Sequence, residues 1–198
     1  VLLGACMGEE AEACLRVLVA QRPDDARAWN NLGLALMLLQ RLGEAEAAFR
    51  RALELAPDHD KAVENLAKLL SLRYRHAESA DLYRHALDLQ RQGGRPLSAD
   101  ALTGLLQAHE LLCNWAGMPG MLREVLAREA EGIDPFVLLS QDVPAQRIRR
   151  AGQIFGRKAT AGVLTLPARS VAKGERIRIG YVSADLRDHA VATLIVQM

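Results

Sequence analysis

Aromatic side chains are scarce in this chain: two Trp, three Tyr and three Phe make up only 4% of its 198 residues. The core must therefore be built from aliphatic and small side chains, as expected where helices pack closely. Cysteine is scarcer still. Cys6, Cys14 and Cys113 are odd in number, widely spaced and free of any C-x-x-C pair. That excludes a disulfide framework and a zinc site of the usual spacing, and fits a reducing, cytoplasmic location. Charge of one sign is also lacking, since 25 basic residues face 24 acidic ones for a formal net charge of +1. A chain so balanced has no global field to draw in phosphate backbones, so nucleic acid is not an expected partner. No apolar run approaches the roughly 18 to 20 residues that cross a bilayer, and no membrane partner is expected. Val1-Leu2-Leu3-Gly4-Ala5-Cys6 has the outline of a lipoprotein cleavage box, but no basic segment precedes it and no lipid anchor is expected. G-x-G-x-x-G, P-loop and G-x-S-x-G motifs are all missing, which leaves dinucleotide, NTPase and α/β-hydrolase readings without support.

What is present is a period. With Ala26 as the first position, Trp29, Leu32, Gly33 and Leu36 fall on the packing face of one helix. Ala45, Phe49 and Ala52 follow on a second helix, and Pro57 closes the unit. One period of about 34 residues further on, Val63, Leu66, Ala67, Leu70, Ser79, Tyr83 and Ala86 occupy the same slots, with Arg91 in place of the closing proline. In the other direction Ala11, Leu15, Leu18 and Pro23 supply the second half of a unit, and Gly8-Glu9-Glu10-Ala11 echoes the turn at Gly43-Glu44-Ala45. Small residues at Gly33, Ala45 and Ala52 let helix backbones approach, while Trp29, Phe49 and Tyr83 fill the space between helices. Such pairs cannot bury their apolar faces alone and must stack. The pattern resembles the tetratricopeptide repeat (TPR), which implies an α-α superhelix over residues 1–93: a partial first unit, then units at about 26–59 and 60–93. The resemblance also implies a concave face that takes an extended protein or peptide segment. Asn30, Asn31, Asn65 and Lys68 are polar positions on the first helices and are the candidate acceptor-binding residues, with plain solvated surface as the alternative.

The register breaks at Gln92-Gly93-Gly94-Arg95-Pro96, a turn cluster. Residues 94–160 read as a degenerate helix pair and a linking helix. Ser98 is placed to cap a helix running through Leu112, a shorter helix is expected around Met118 to Arg128, and a third near Pro144. On that last helix Ile148, Ala151 and Phe155 make one apolar stripe, which leaves Arg147, Arg150, Arg157 and Lys158 on its solvated side.

Composition changes again after residue 160. Residues 161–175 read as a linker rich in Gly, Ala, Thr and Lys, followed by an apolar-alternating strand from Arg176 to Asp185, a short loop Leu186-Arg187-Asp188-His189, and a helix opening at Ala190. Strand, tight loop and helix together are the first unit of a parallel α/β sheet, in which ligands bind at the carboxyl ends of strands. His189 would lie near the helix N-terminus, where the dipole disfavours the imidazolium and leaves a ring able to accept a proton. Asp188 at the cap position has a plain structural use in satisfying helix N–H groups. The chain has no initiator Met and stops inside an apolar segment, so it is expected to be a piece of something longer.

The order of these parts carries a second resemblance. TPR units are followed by Cys113-Asn114-Trp115, by Pro135-Phe136-Val137-Leu138-Leu139-Ser140, and by Gly180-Tyr181-Val182-Ser183-Ala184-Asp185 with His189 four residues on. Together they resemble the O-linked N-acetylglucosamine transferase family in its bacterial form, over most of the chain. The resemblance implies an enzyme that moves N-acetylglucosamine from UDP-N-acetylglucosamine (UDP-GlcNAc) to Ser or Thr of proteins. Its catalytic region would be a GT-B fold of two Rossmann-like lobes, beginning at residues 176–198. It implies His189 as a residue of the cleft and general base, no metal and no cofactor beyond the UDP-sugar substrate, and diphosphate-binding groups in a later lobe. Leu186-Arg187-Asp188 before the histidine and Ala190 after it depart from the animal pattern, which bears on acceptor choice. A scaffold that binds proteins and catalyses nothing is the alternative.

Overall fold

The structure, a computed structural model, describes residues 2–161. The expected strand, loop and helix of residues 176–198, and His189 with them, lie outside the described residues.

Asp25 sets the start of the first complete helix pair. Its carboxylate oxygen accepts from the N–H groups of Arg27 at 2.9 Å and Ala28 at 3.1 Å, satisfying donors that the first turn leaves open. Ser98 does the same through its hydroxyl for Ala101 at 3.3 Å. His59 caps with its ring Nδ1, which accepts from Ala62 at 3.3 Å. The helices run α1 Leu2–Gln21, α2 Ala26–Leu38, α3 Leu42–Leu55, α4 Asp60–Leu72, α5 His76–Gln92, α6 Ala99–Leu111, α7 Met118–Ala127 and α8 Ala145–Ala159, with 3-10 turns at Glu129–Glu131 and Pro135–Leu138.

The helix ends repeat one another closely. Gln40, Tyr74 and Cys113 adopt left-handed backbone, with φ of 61°, 60° and 52°. In each case the next N–H reaches back to a carbonyl five residues earlier: Arg41 to Leu36, Arg75 to Leu70 and Asn114 to His109, all at 2.9 Å. Gly94 ends α5 the same way, with Arg95 N–H on the Gln90 carbonyl. This is the closing motif that satisfies orphan carbonyls at a helix end. The α6–α7 pair therefore closes with the same turn as the two pairs before it, and its degraded sequence has not changed the construction.

The expected turn at Gly8 does not form. α1 is continuous from Leu2 to Gln21, and Gly8 sits buried within it. A Cβ there would stand 3.1 Å from the Leu39 side chain, so the glycine admits the end of α2 instead of breaking the helix. Gly43, too, lies inside the first turn of α3.

Packing forms two apolar clusters. One joins Val19 of α1 to Leu32 and Leu36 of α2, Phe49 of α3 and Leu66, Leu69 and Leu70 of α4. The other joins Ala67 of α4 to Tyr83 and Leu87 of α5, Leu102 and Leu106 of α6, Val125 of α7, and Ile133, Leu138 and Ala151 beyond. Phe49 is fully buried against Gly33, where an added Cβ would be 2.5 Å from the ring. Tyr83 is buried in the same fashion against Gly104. Ser79 Oγ, fully buried, donates to the Ala67 carbonyl at 2.7 Å. Trp29 is only half-buried; its indole N–H donates to the Pro23 carbonyl at 2.8 Å and ties the inter-repeat turn to α2.

The expected stripe on α8 needs correcting. Ala151 is fully buried and Ile148 packs against the second cluster, but Phe155 remains 39% exposed. Nor is the basic side wholly solvated. Arg147 donates to Glu129 at 3.1 Å and to the Leu126 carbonyl at 3.2 Å, and Lys158 donates to the Glu131 carbonyl. A helix packed on a loop-rich segment finds unpaired loop acceptors, and long basic side chains supply the donors.

Candidate functional site

Every third or fourth residue of a helix returns to one face, and α2, α4 and α6 each leave the same face uncovered. On α2 that face carries Arg27, Asn31, Leu34 and Leu38. On α4 it carries Lys61, Asn65, Lys68 and Leu72, and on α6 Asp100, Gln107 and Leu111, with Gly104 between them covered by the Tyr83 ring. These positions correspond across the three helices, and α4 touches both α2 and α6, so the residues form rows running across the array.

The four expected binding residues divide between this face and the seam beneath it. Asn31 and Lys68 are exposed, Asn65 is half-buried, and Asn30 is buried at 6% exposure. Asn65 donates through its amide to the Asn30 oxygen at 2.8 Å, and the Asn30 amide reaches Asn31 at 3.4 Å. Asn30 is thus a correction to the expected set. Its side chain joins α2 to α4 and aligns Asn65, and it is not itself presented to a partner. A buried amide is stable only when so partnered.

Between repeats lies a polar construction that residue-by-residue reading misses. Arg41, just after the first turn, donates to Glu12 of the preceding unit at 2.6 Å and to Glu44 of its own at 2.7 Å. One repeat later Arg75 donates to Glu46 at 2.8 Å and to Glu78 at 2.6 Å. Arg16 braces Glu12 at 2.7 Å and Arg50 braces Glu46 at 2.8 Å, again in register. Burial alone would raise the carboxyl of Glu46, but hydrogen bonds and positive charge from Arg50 and Arg75 hold it below the usual carboxylate range. Asp60 behaves likewise: burial opposes ionisation, and the Arg95 guanidinium at 2.9 Å with the Gln90 amide overcomes it. Setting the chain beside itself, shifted by one repeat, would have shown the Glu and Arg positions in register. Gly104 and Leu111 were missed too, because the Gly-Pro insertion before α6 moves them off the period, and Leu38 and Leu72, though one period apart, lie outside the packing positions that the repeat marks.

An open cleft of about 610 Å³ lies beside the start of α4 and the turn from Arg95 to Ala99. Its cations are already engaged, with Arg95 on Asp60, Lys61 on Glu64 and Lys158 on the Glu131 carbonyl. Two of these cations, Arg95 and Lys61, are neutralised by carboxylates. No helix among the described residues is long and apolar enough to cross a membrane.

The family model described as tetratricopeptide repeat matches residues 26–59, the span from the α2 start to the turn before α4. Residues 26–59 are a tetratricopeptide repeat, and the helix pairs that follow repeat its helix–turn–helix construction. A solved structure entitled "Crystal structure of MamA protein" shares the fold, with a TM-score of 0.50, 15% identity, and coverage of 81% of this chain and 70% of that one. No curated protein matches the chain. In TPR terms α2, α4 and α6 are the first helices of their units, α3, α5 and α7 the second, and α1 is a second helix whose Glu12 and Arg16 occupy the places of Glu46 and Arg50.

Proposed function

We propose that the TPR array binds an extended segment of another protein across the face formed by α2, α4 and α6. The observation that carries this is the recurrence of polar side chains in one register on adjacent first helices, with Asn31 and Lys68 exposed and Asn65 half-buried at its centre. Amide side chains can donate to and accept from a peptide backbone whatever its sequence, which suits a scaffold that holds polypeptide as such.

The finer proposal is that this scaffold serves a protein O-linked N-acetylglucosaminyltransferase-like enzyme whose catalytic region begins at residues 176–198. Its support is the Gly180 to His189 stretch and the order of parts before it. A Ser or Thr hydroxyl would attack the sugar carbon, UDP would leave with the bonding electrons, and His189 would take the hydroxyl proton. The test uses the full-length protein with UDP-GlcNAc and a protein acceptor. His189→Ala should lower kcat by about two to four orders of magnitude. The exposed pair Asn31→Ala and Lys68→Ala should raise KM for the protein acceptor and leave KM for the donor unchanged. Unchanged turnover in His189→Ala removes the base assignment. Acceptor binding with no transfer at all leaves the non-catalytic scaffold as the function.

A further inference from the structure

In charge, α8 stands apart from the other helices. No Asp or Glu occurs between Asp142 and Glu175, so the helix carries four arginines and a lysine with no acid of its own. Elsewhere most helical arginines have a carboxylate three or four residues away: Glu12 for Arg16, Glu46 for Arg50, Glu54 for Arg51, Asp81 for Arg84 and Asp88 for Arg91. On α8 two cations find partners on neighbouring segments, Arg147 on Glu129 at 3.1 Å and Lys158 on the Glu131 carbonyl. Arg150 comes no nearer to Glu129 than 3.7 Å, and its side chain is 72% exposed. Arg149 and Arg157 are exposed and make no ion pair among the described residues.

The helix dipole accounts for cations in a last turn, where Arg157 and Lys158 stand, but gives no reason for Arg149 and Arg150 in the second turn. Ile148 and Ala151 pack into the second apolar cluster. Gln146, Arg150, Gln153 and Arg157 lie on the opposite side, all four exposed. Steps of four, three and four residues keep them in one stripe along the whole helix. The same steps set the seam along which one helix lies against another, and a second helix advances at the same rise per residue. Other anionic surfaces fit less well. A membrane needs a free apolar face, and Ile148 and Ala151 are already packed. Single-stranded nucleic acid is held by stacking as well as charge, and the stripe has no aromatic side chain.

We infer that the outward face of α8 docks an acidic α-helix of a partner protein, one carrying carboxylates at alternating steps of three and four residues. The carboxylates pair with Arg150 and Arg157, the Gln146 and Gln153 amides hydrogen-bond beside them, and Arg149 flanks the seam. Exposed ion pairs are individually weak, so the contact is reversible and sensitive to salt. This surface is separate from the face of α2, α4 and α6 and does not depend on the reading given for it.

The probe is a peptide of three tandem Glu-Ala-Ala-Ala-Glu-Ala-Ala heptads, alanine-rich and long enough to be helical, titrated against the full chain by fluorescence anisotropy at low salt. Its isomer, three heptads of Glu-Ala-Glu-Ala-Ala-Ala-Ala, divides the same acids between opposite sides of the helix and should bind about fivefold more weakly. Gln153→Glu with Arg157→Glu, both exposed and outside the core, should weaken the first peptide by about tenfold. The same double variant should gain binding to the peptide with lysine in place of glutamate, which the wild-type chain does not bind. Raising salt to about 0.5 M should remove these differences. Equal binding of the two isomers overturns the inference, as does a double variant that fails to gain the lysine peptide. Binding of oligothymidylate or of phosphatidylserine vesicles, with none of the acidic peptide, also overturns it. Loss of the acidic peptide on Asn31→Ala with Lys68→Ala, while the α8 changes have no effect, puts the acidic helix on the other face and refutes α8.

Discussion

Phe49 and Gly33 illustrate how a residue is fixed by what it touches. The ring is fully buried and occupies the volume that any other side chain at position 33 would need. Truncation of Phe49 to Ala should cost about 3–5 kcal/mol in urea denaturation, because the surrounding helices can close only part of the cavity. Gly33→Ala should cost about 1–3 kcal/mol by overpacking, since the new methyl meets an aromatic ring wedged on every side. Combining Gly33→Ala with Phe49→Leu should recover much of that loss, and strictly additive penalties in the double mutant would show that the two side chains do not share the space. Tyr83 packs on a glycine too, but on Gly104 of the next pair, while Ala67 of its own pair stands in the place of Gly33. Burial drives the Tyr83 hydroxyl well above the usual tyrosine range, with the charges of Glu64 and Asp100 adding to it, so the ring stays neutral. The Phe49 pair was visible in the sequence because both members fall on the repeat. The Tyr83–Gly104 pair was not, because an insertion separates them.

At the scale of the element, helix ends decide the geometry. Three non-glycine residues, Gln40, Tyr74 and Cys113, hold the left-handed conformation that closes the first helix of each pair. That conformation costs an ordinary residue roughly 1–2 kcal/mol and glycine almost nothing. Tyr74 is 85% exposed, so little packing is lost on changing it. Tyr74→Gly should therefore raise the thermal midpoint, by about 1 kcal/mol of stability; a fall in the midpoint would mean that the ring, edge-on to His76 at 6.1 Å, contributes more than the backbone strain takes away. The α1 helix shows the opposite lesson. Gly8 followed by two glutamates suggests a turn by composition, yet the chain stays helical because the end of α2 presses Leu39 against the glycine. Local signals set where a helix can end, and packing chooses among the candidates.

Across the whole array, stability is passed from one repeat to the next, and much of the polar share runs through depressed carboxylates. Glu46 and Asp60 are held below the ordinary carboxylate range in the folded chain, whereas in the unfolded chain they titrate near pH 4. Their contribution is therefore complete above about pH 5 and drains away as pH falls through the lower folded values. The thermal midpoint should drop on acidification below pH 4, and Glu46→Gln should lower it at pH 7 while flattening that acid dependence. An acid profile identical in wild type and Glu46→Gln would remove Glu46 as a source of the pH effect. Nearest-neighbour stacking also means that this change should loosen amide exchange most in α3 to α5, which Arg73, Arg75 and Arg50 tie to Glu46.

By itself the sequence determined the helices, their pairing and the repeat period, because a period of apolar and small residues that recurs over two units admits few other solutions. It also marked the amide-bearing first helices as the surface to watch. Only the tertiary structure decided which of those amides is available. Asn30 and Asn31 are neighbours in the chain, and helical rotation by about 100° turns one into the seam with Asn65 and leaves the other in solvent. The inter-repeat Arg–Glu clamps likewise depend on residues far apart in sequence meeting in space. The physical reason is the same for both: periodicity specifies a helix face, while partners across faces exist only once the helices have stacked.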